Sequence, residues 1–296
     1  MKLFNKYFWK VVYGVLGYVW PKALVSVHYY RTKRVFLNWK NPKLLDEKIN
    51  WLKFYGDTSQ WAELADKYRV REFVEKRGLG DMLVPLIGKW DRAEDINWDQ
   101  LPNQFVMKTN HGSGDALICR NKQSLDTVYW TAEFARLLAS KFGRSMGEPH
   151  YDKIVPCIVA EQLLDNNKQH MKSTSLIDYK IWSFDGKPAY IWVCYNRTKD
   201  SCRVGIYDLG WNFHPEYSES IPHYVLADQP IPRPHCLEQM LEAASRLSKG
   251  FPEVRVDFYE VDEKPYFGEM TFTPSAGFNY FYTPEFQRIL GDLIQL

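Results

Sequence analysis

Two acidic residues on facing halves of one hairpin constrain this chain more than any other feature. Val254, Val256 and Phe258 alternate with Arg255 and Asp257, the period of a half-buried strand. Tyr266 to Phe272 reads as its return, with the turn near Asp262-Glu263-Lys264-Pro265. A turn centred on Glu263 sets Asp257 directly across from Glu269. Side chains so paired have Cβ atoms about 4.5–5.5 Å apart, and like charges there destabilise the hairpin, so a cation between them is expected. All-oxygen ligation by carboxylates suits Mg²⁺, which completes its shell with waters and substrate phosphates. Period two brings Arg255 and Thr271 to the same face, so a cation site, an arginine and a hydroxyl gather at one spot. Pairing displaced by one residue would send the carboxylates to opposite faces of an ordinary solvated hairpin. The hairpin by itself leaves both arrangements open.

At 296 residues the chain can hold one large or two small domains with a full core. A makeup of 45% hydrophobic and 25% charged residues, without a long low-complexity run, is that of a globular protein. The 16% aromatic share fits a surface that handles flat, hydroxylated ligands such as sugars, and equally a large core or a membrane-surface protein. A formal charge of +2 gives no electrostatic basis for nucleic-acid binding, and none is expected. Cys119, Cys157, Cys194, Cys202 and Cys236 are odd in number and lack metal-ligand spacing, so they read as free thiols in a reducing compartment.

Residues 1–20 stand apart. On a helical wheel Phe4, Phe8, Val11, Val12, Val15 and Val19 share one side, and Lys2, Lys6, Lys10, Tyr13 and Gly17 the other. The apolar run Val11–Trp20 is short of the roughly 20 residues a bilayer span needs. No small-x-small cleavage site of a signal peptide precedes Pro21. An in-plane amphipathic anchor at a membrane surface and a helix packed on its own domain both remain. Lys22, Arg31, Lys33 and Arg34 add basic charge beside it.

From Asn41-Pro42 to Gly80 the pattern is helical, with Gly78 as a C-cap. From Leu83 short apolar runs follow: Leu83–Ile87, Phe105–Lys108, Ala116–Cys119 and Ile154–Leu164, interrupted by a helix from about Ser124 to Phe142. Beyond residue 175 hairpins dominate. Tyr179–Phe184 and Ala189–Tyr195 flank Asp185-Gly186, a strong hairpin turn signal. Helices are expected over about Pro234–Lys249 and Glu285–Ile294.

Phe105-Val-Met-Lys108-Thr-Asn110-His111-Gly112-Ser113-Gly114 leads from a strand into a glycine-containing loop and on to another strand. Such a loop lets backbone amides approach a phosphate closely. It is not a Walker loop, since no Gly-Lys-Ser/Thr follows and no helix opens. A strand–loop–strand lid with a strand lysine beneath it, here Lys108, is the arrangement protein kinases use, although an ordinary hairpin turn is the simpler reading of this segment alone. Ile158-Val-Ala-Glu161-Gln162-Leu163-Leu164 is an apolar strand ending in a carboxylate, and Asp178-Tyr-Lys180 opens the next hairpin with a second lysine.

In that order, these segments resemble the ATP-grasp superfamily, and specifically its teichuronopeptide-biosynthesis (TupA-like) branch. The resemblance covers about residue 40 to the end. It rests on Asn41-Pro-Lys-Leu-Leu-Asp-Glu-Lys, Ala65-Asp-Lys67-Tyr, the Lys108 to Gly114 segment, Ala160-Glu161-Gln, Asp178-Tyr-Lys180, Phe251-Pro-Glu-Val-Arg255-Val-Asp257 and Tyr266-Phe-Gly-Glu269-Met-Thr-Phe. The resemblance implies an α+β, ATP-grasp fold with ATP between two α+β lobes, preceded by a helical N-terminal region. The divisions expected are a membrane-associating segment 1–40, a helical pre-domain 41–100, a small lobe 101–165 and a large lobe 166–296.

By the same resemblance, Lys108 holds α/β phosphates beneath His111, Gly112, Ser113 and Gly114, and Glu161, Gln162 and Leu163 form the hinge facing adenine. Lys180 lies near the phosphates or the ribose, and Asp257 and Glu269 hold Mg²⁺, with Thr271 where many ATP-grasp enzymes carry Asn. That departure leaves the number of Mg²⁺ ions open. Arg255 stands against the transferring phosphate or the tetrahedral intermediate. The implied reaction is a carboxylate–amine ligation through an acyl-phosphate, joining an amino acid or amine to a sugar acid or surface polysaccharide, at the inner face of the cytoplasmic membrane. Glu148, Tyr151, Arg197, Arg203 and Trp211 lie in segments similar to family motifs and are candidates to face the acceptor, with a purely structural role the equal alternative for each. A sugar kinase using the same ATP site, a glycosyltransferase and a non-catalytic assembly partner are the alternatives. The glycosyltransferase lacks its usual Asp-x-Asp, which occurs nowhere in the chain.

Overall fold

A computed structural model describes residues 12–296. Expectations for residues 1–11 lie outside the described residues. Residues 12–19 are helical, and a second helix, Pro21–Lys33, begins at the proline. Pro21 therefore starts a helix, where its fixed φ is pre-organised and its missing N–H costs nothing. The helical stretch that follows is broken into Leu45–Tyr55, Trp61–Leu64 and Val70–Lys76.

Four strands, β1 (Leu86–Trp90), β2 (Phe105–Thr109), β3 (Leu117–Cys119) and β4 (Ile158–Glu161), form an antiparallel sheet in the order β1-β4-β2-β3. Its first strand lies N-terminal to residue 101. Helix Thr127–Leu138, capped by the Asp126 carboxylate on the Tyr129 amide, seals it with Phe134 over Phe105, Met107 and Ile158.

Six further strands, β5 (Asp178–Phe184), β6 (Lys187–Tyr195), β7 (Cys202–Asp208), β8 (Tyr224–Leu226), β9 (Val254–Val261) and β10 (Lys264–Thr271), form a sheet in the order β10-β9-β5-β6-β7-β8. Only the β7–β8 pair is parallel. Helix Leu237–Ser248 packs on β5, β6 and β9 through Leu237, Met240, Ala244 and Leu247, one apolar stripe at helical spacing. The opposite face of the sheet looks across a cleft at the four-stranded one.

Both hairpins turn through two residues with positive φ: Asp185 and Gly186 (45° and 79°), and Asp262 and Glu263 (58° and 55°). Their twist suits a tight antiparallel hairpin. The second turn differs from the one expected, since it is centred between Asp262 and Glu263. Near it Tyr266 pairs with Tyr259 and Phe267 with Phe258, a register that would place Gly268 opposite Asp257 and turn Glu269 towards the core. A β-bulge between Phe267 and Glu269 absorbs one residue, and beyond it Glu269 faces Asp257 and Thr271 faces Arg255. The bulge residue is Gly268. A Cβ there would lie 3.0 Å from the Asp257 carbonyl oxygen and 3.2 Å from the Tyr259 ring.

All five cysteines are buried and unbridged.

Candidate active site

Cross-strand pairing builds the floor of the cleft. Glu269 on β10 lies opposite Asp257 on β9, which lies opposite Lys180 on β5. Carboxylate, carboxylate and ammonium thus form one row across three strands. The neighbouring row is Thr271, Arg255 and Trp182.

Arg255 grips Asp257 with two parallel hydrogen bonds, Nε to Oδ1 at 2.7 Å and Nη2 to Oδ2 at 2.8 Å. The Lys180 ammonium donates to Asp257 Oδ2 and lies 3.4 Å from Asp178 Oδ1. Burial works to lower the Lys180 pKa, but the Asp178 and Asp257 carboxylates outweigh it and hold the ammonium above its ordinary range. Burial likewise works to raise Glu269. Lys67, Lys180 and Arg255, with a hydrogen bond from the Thr271 hydroxyl at 3.1 Å, prevail and hold that carboxyl at about 2. Protein surrounds Glu269 closely, yet 38% of its side chain remains open to the cleft. It is an ionised and reachable group.

The roof comes from the small sheet. Lys108 on β2 points into the cleft and pairs with Glu161 Oε2 at 2.7 Å, while Arg71 holds Glu161 Oε1 at 3.1 Å. The loop Gly112–Asp115 overhangs the floor, with the Thr109 hydroxyl donating to Asp115 Oδ2 at 2.6 Å. The cleft between roof and floor measures about 600 Å³. Val106, Ile118, Leu163, Leu164 and Leu176 make one part apolar, and the lysines and carboxylates make the rest charged.

A second chamber of about 400 Å³ adjoins the charged part and shares Lys67, Gly112, Ser113, Lys180, Arg197 and Glu269 with it. Its walls include Glu148, Tyr151, Trp192, Arg255 and the turn at Ser275 and Ala276. That turn holds three successive residues in the left-handed region, Ser275, Ala276 and Gly277, with φ of 52°, 55° and 77°. Helix Leu45–Tyr55 supports it from behind. Asn50 Nδ2 donates to Gly277 O at 2.7 Å and Lys53 Nζ to Ala276 O at 2.6 Å, while Asp46 Oδ1 accepts from the Asn279 amide at 2.9 Å. Asp46, Asn50 and Lys53 lie on one helix face and are buried.

The structure gathers Lys108, Gly112, Ser113, Gly114, Leu163, Lys180, Asp257 and Glu269 around the cleft, and Arg255 and Thr271 around the second chamber. Three expected residues lie elsewhere. His111 turns inward beneath the loop and is only 3% exposed, with its ring 3.3 Å from Asn110 Oδ1 and its pKa lowered by burial. Gln162 lines a separate shallow depression with Ile87 and Gln104. Glu161 is occupied by its two cations rather than facing the cleft. Among the further acceptor residues, Glu148, Tyr151 and Arg197 line the second chamber. Arg203 instead pairs with Asp228 at 2.6 Å, and Trp211 stacks on Tyr207.

Lys67 is the residue that sequence reasoning passed over. It lines both cavities, and its ammonium donates to Gly112 O at 2.6 Å. The sequence names it only within Ala65-Asp-Lys67-Tyr, a segment that carries the family resemblance without a role for the lysine. The signal available was its neighbour: Asp66 caps the Tyr68 and Arg69 amides and accepts from Asn110 Nδ2 at 2.9 Å, clipping this turn to the root of the glycine loop.

The chain matches the model of the TupA-like ATP-grasp family over residues 47–295. It belongs to that family. No curated protein matches it. Solved structures similar to it include D-alanine–D-alanine ligase from Bacillus anthracis complexed with ATP (15% identity, TM-score 0.45, 78% of this chain and 65% of that one). Others are an L-amino acid ligase from Bacillus licheniformis (12%, 0.47, 91% and 60%) and D-alanine–D-alanine ligase from Helicobacter pylori (14%, 0.42, 85% and 66%). The chain covers less than two thirds of the length of each.

Proposed function

We propose that the protein is an ATP-dependent carboxylate–amine ligase. The observation that carries this reading is the row Glu269–Asp257–Lys180 lying beneath the glycine loop, with a second chamber opening beside it. Adenine fits the apolar part of the cleft along Leu163, and the phosphates fit among Lys108, Lys180 and the amides of Gly112 to Gly114. Asp257 and Glu269 would hold Mg²⁺, with the Thr271 hydroxyl beside them. The donors suit a hard cation in being all oxygen, and Glu269 Oε2 has no hydrogen bond among the described residues, whereas both Asp257 oxygens are held by Arg255 and Lys180 and would have to be shared with the ion. Mg²⁺, when bound, would neutralise phosphate charge.

A substrate carboxylate in the second chamber attacks the γ-phosphorus of ATP, releasing ADP and forming an acyl-phosphate. An amine then attacks the acyl carbon, loses a proton and expels phosphate, leaving an amide. Lys108, Lys180 and Lys67 hold the transferring group in place and offset its charge. Arg255, in the wall of the second chamber, faces the acyl oxygen as negative charge gathers there. The Asp257 carboxylate keeps Lys180 and Arg255 ordered, and Glu161 keeps Lys108 ordered, before substrates arrive.

The carboxylate substrate is a uronic-acid sugar or the end of a surface polysaccharide, and the amine is an amino acid or similar compound. Support comes from aromatic walls at Trp192, Tyr224 and Tyr151 beside Arg197 and Arg255, which suit an amphipathic ring bearing an anion.

The test is the double variant Asp257→Asn/Glu269→Gln, with folding checked by thermal melting. It is expected to lose the Mg²⁺-dependent stabilisation that ATP gives the native protein. Native-like ATP stabilisation in that variant would remove the proposed site. With sugar acids and amino acids supplied, product mass separates an amide plus phosphate from the phosphorylated sugar a kinase would make.

A further inference from the structure

Charge in this chain is segregated. Residues 1–45 contain nine Lys and Arg, eleven Phe, Trp and Tyr, and no Asp or Glu. The other 251 residues hold 29 Lys and Arg against 36 Asp and Glu. A basic, aromatic end is thus joined to an acidic body, and it precedes the family match, which begins at residue 47.

Its inner side is committed to the protein. Val25 and Tyr29 are buried with Leu37 and Phe278. Gly17 lies so close to the Arg144 backbone that a Cβ would fall 2.0 Å from the carbonyl oxygen. His28 stacks edge-on against Phe278 at 4.4 Å, directly after the left-handed turn.

On the outer side Phe36 stacks on Tyr30 and Tyr18 lies under Arg144, and neither contact buries the ring. Val19, Trp20 and Phe36 are 72%, 65% and 81% exposed, and Val15, Tyr18 and Val35 are also exposed. Arg34 and Lys40 stand exposed near Phe36 in the sequence. Large apolar groups flanked by cations, without a single acid, suit a surface that is oily below and anionic above. Among the described residues no helix is long and apolar enough to cross a membrane, which favours lying on the surface over spanning it.

We propose that the face carrying Val15, Val19, Trp20, Arg34, Phe36 and Lys40 docks the protein on an anionic lipid bilayer. Helix Pro21–Lys33 then separates the lipid from Phe278 and Met146, next to the wall of the second chamber. One helix is about 10 Å across, so docking places the second chamber at the membrane surface, where a lipid-borne substrate would meet it. Docking itself does not depend on the ligase reading.

The experiment uses the full chain with phosphatidylcholine vesicles, with and without phosphatidylglycerol, read by co-sedimentation and tryptophan fluorescence. The native protein is expected to bind the anionic vesicles at least tenfold more tightly, and less so as salt rises. Arg34→Gln/Lys40→Gln is expected to weaken that binding by about 25-fold, from roughly fivefold per lost cation. Val19→Ser/Trp20→Ser/Phe36→Ser, all at exposed positions, is expected to abolish it with the melting temperature unchanged. ATP binding in the same samples should not change, because none of these residues lines the cleft. Equal affinity for both vesicles, no binding, indifference to the charge variant, or retention on heparin without retention on vesicles would each overturn the proposal.

Discussion

Replacing Asn50 with alanine tests how the second chamber keeps its wall. Ser275 and Ala276 sit in the left-handed region, where a residue with a Cβ costs roughly 1 kcal/mol, so the turn carries about 2 kcal/mol of strain. Two hydrogen bonds from the Leu45–Tyr55 helix offset it, Asn50 to Gly277 O and Lys53 to Ala276 O. Alanine at position 50 leaves the buried Gly277 carbonyl without its donor, which costs about 1–3 kcal/mol. A fully buried amide is also exchanged for a small void, while removal of Asn50 Oδ1, buried without a partner, acts the other way, so the sum stays at roughly 1–3 kcal/mol. Because that matches the strain it restrained, the turn should loosen locally rather than merely weaken the protein. Urea unfolding measures the total. Amide exchange at Phe278, whose N–H bonds to Ser275 O at 3.0 Å, reports the turn itself. Exchange there should quicken, while ATP binding is unchanged because Asn50 does not line the cleft. A loss below about 0.5 kcal/mol with unaltered exchange at Phe278 would show that the turn stands without Asn50, and the reasoning would fail.

Two further outcomes follow from the same geometry. Gly268→Val pushes a branched side chain against the Asp257 backbone and the Tyr259 ring. It should cost about 1–3 kcal/mol in thermal or urea unfolding and weaken Mg²⁺-dependent ATP binding by shifting Glu269. Lys53 is buried, and burial lowers its pKa from 10.5 to about 8 against the opposing pull of Glu148 and Asp46. Below pH 8 it is charged in both folded and unfolded chains. Between about 8 and 10.5 the unfolded chain binds more protons, so stability rises with pH across that window, by up to roughly 3 kcal/mol. The difference between native protein and Lys53→Met, measured in urea from pH 7 to 10.5, should show that rise; a flat difference would place the Lys53 pKa at its ordinary value.

Local pattern reaches some parts of this molecule and not others. Alternation at Val254, Val256 and Phe258 and the Asp185-Gly186 pair specify hairpins because period and turn chemistry act over a few residues. Asp257 and Glu269 meet as the sequence indicates, but by another route: the turn is one step shorter than expected and the bulge at Gly268 makes up the difference. Nothing in alternation alone reveals a bulge, although a glycine inside a strand is the customary mark of one. Period two also cannot say which face of a short strand a cleft will use. Nor can it show that Arg71, 90 positions away, is held by Glu161. His111 sits among loop glycines and looks available; only packing shows the ring folded inward. Lys67 and the Asp46–Asn50–Lys53 face were invisible for a related reason, since charged helix residues are solvated far more often than buried.

The bulge imposes a rule of odd and even on this hairpin. Adding or removing one residue between Asp257 and Glu269 exports the glutamate from water to oil, unless a second change of one restores the count. A three-residue turn without a bulge and a two-residue turn with one are interchangeable solutions. Either alone, grafted onto the other's strands, turns the Glu269 carboxylate away from the cleft. Length in this segment can therefore drift only by compensated steps.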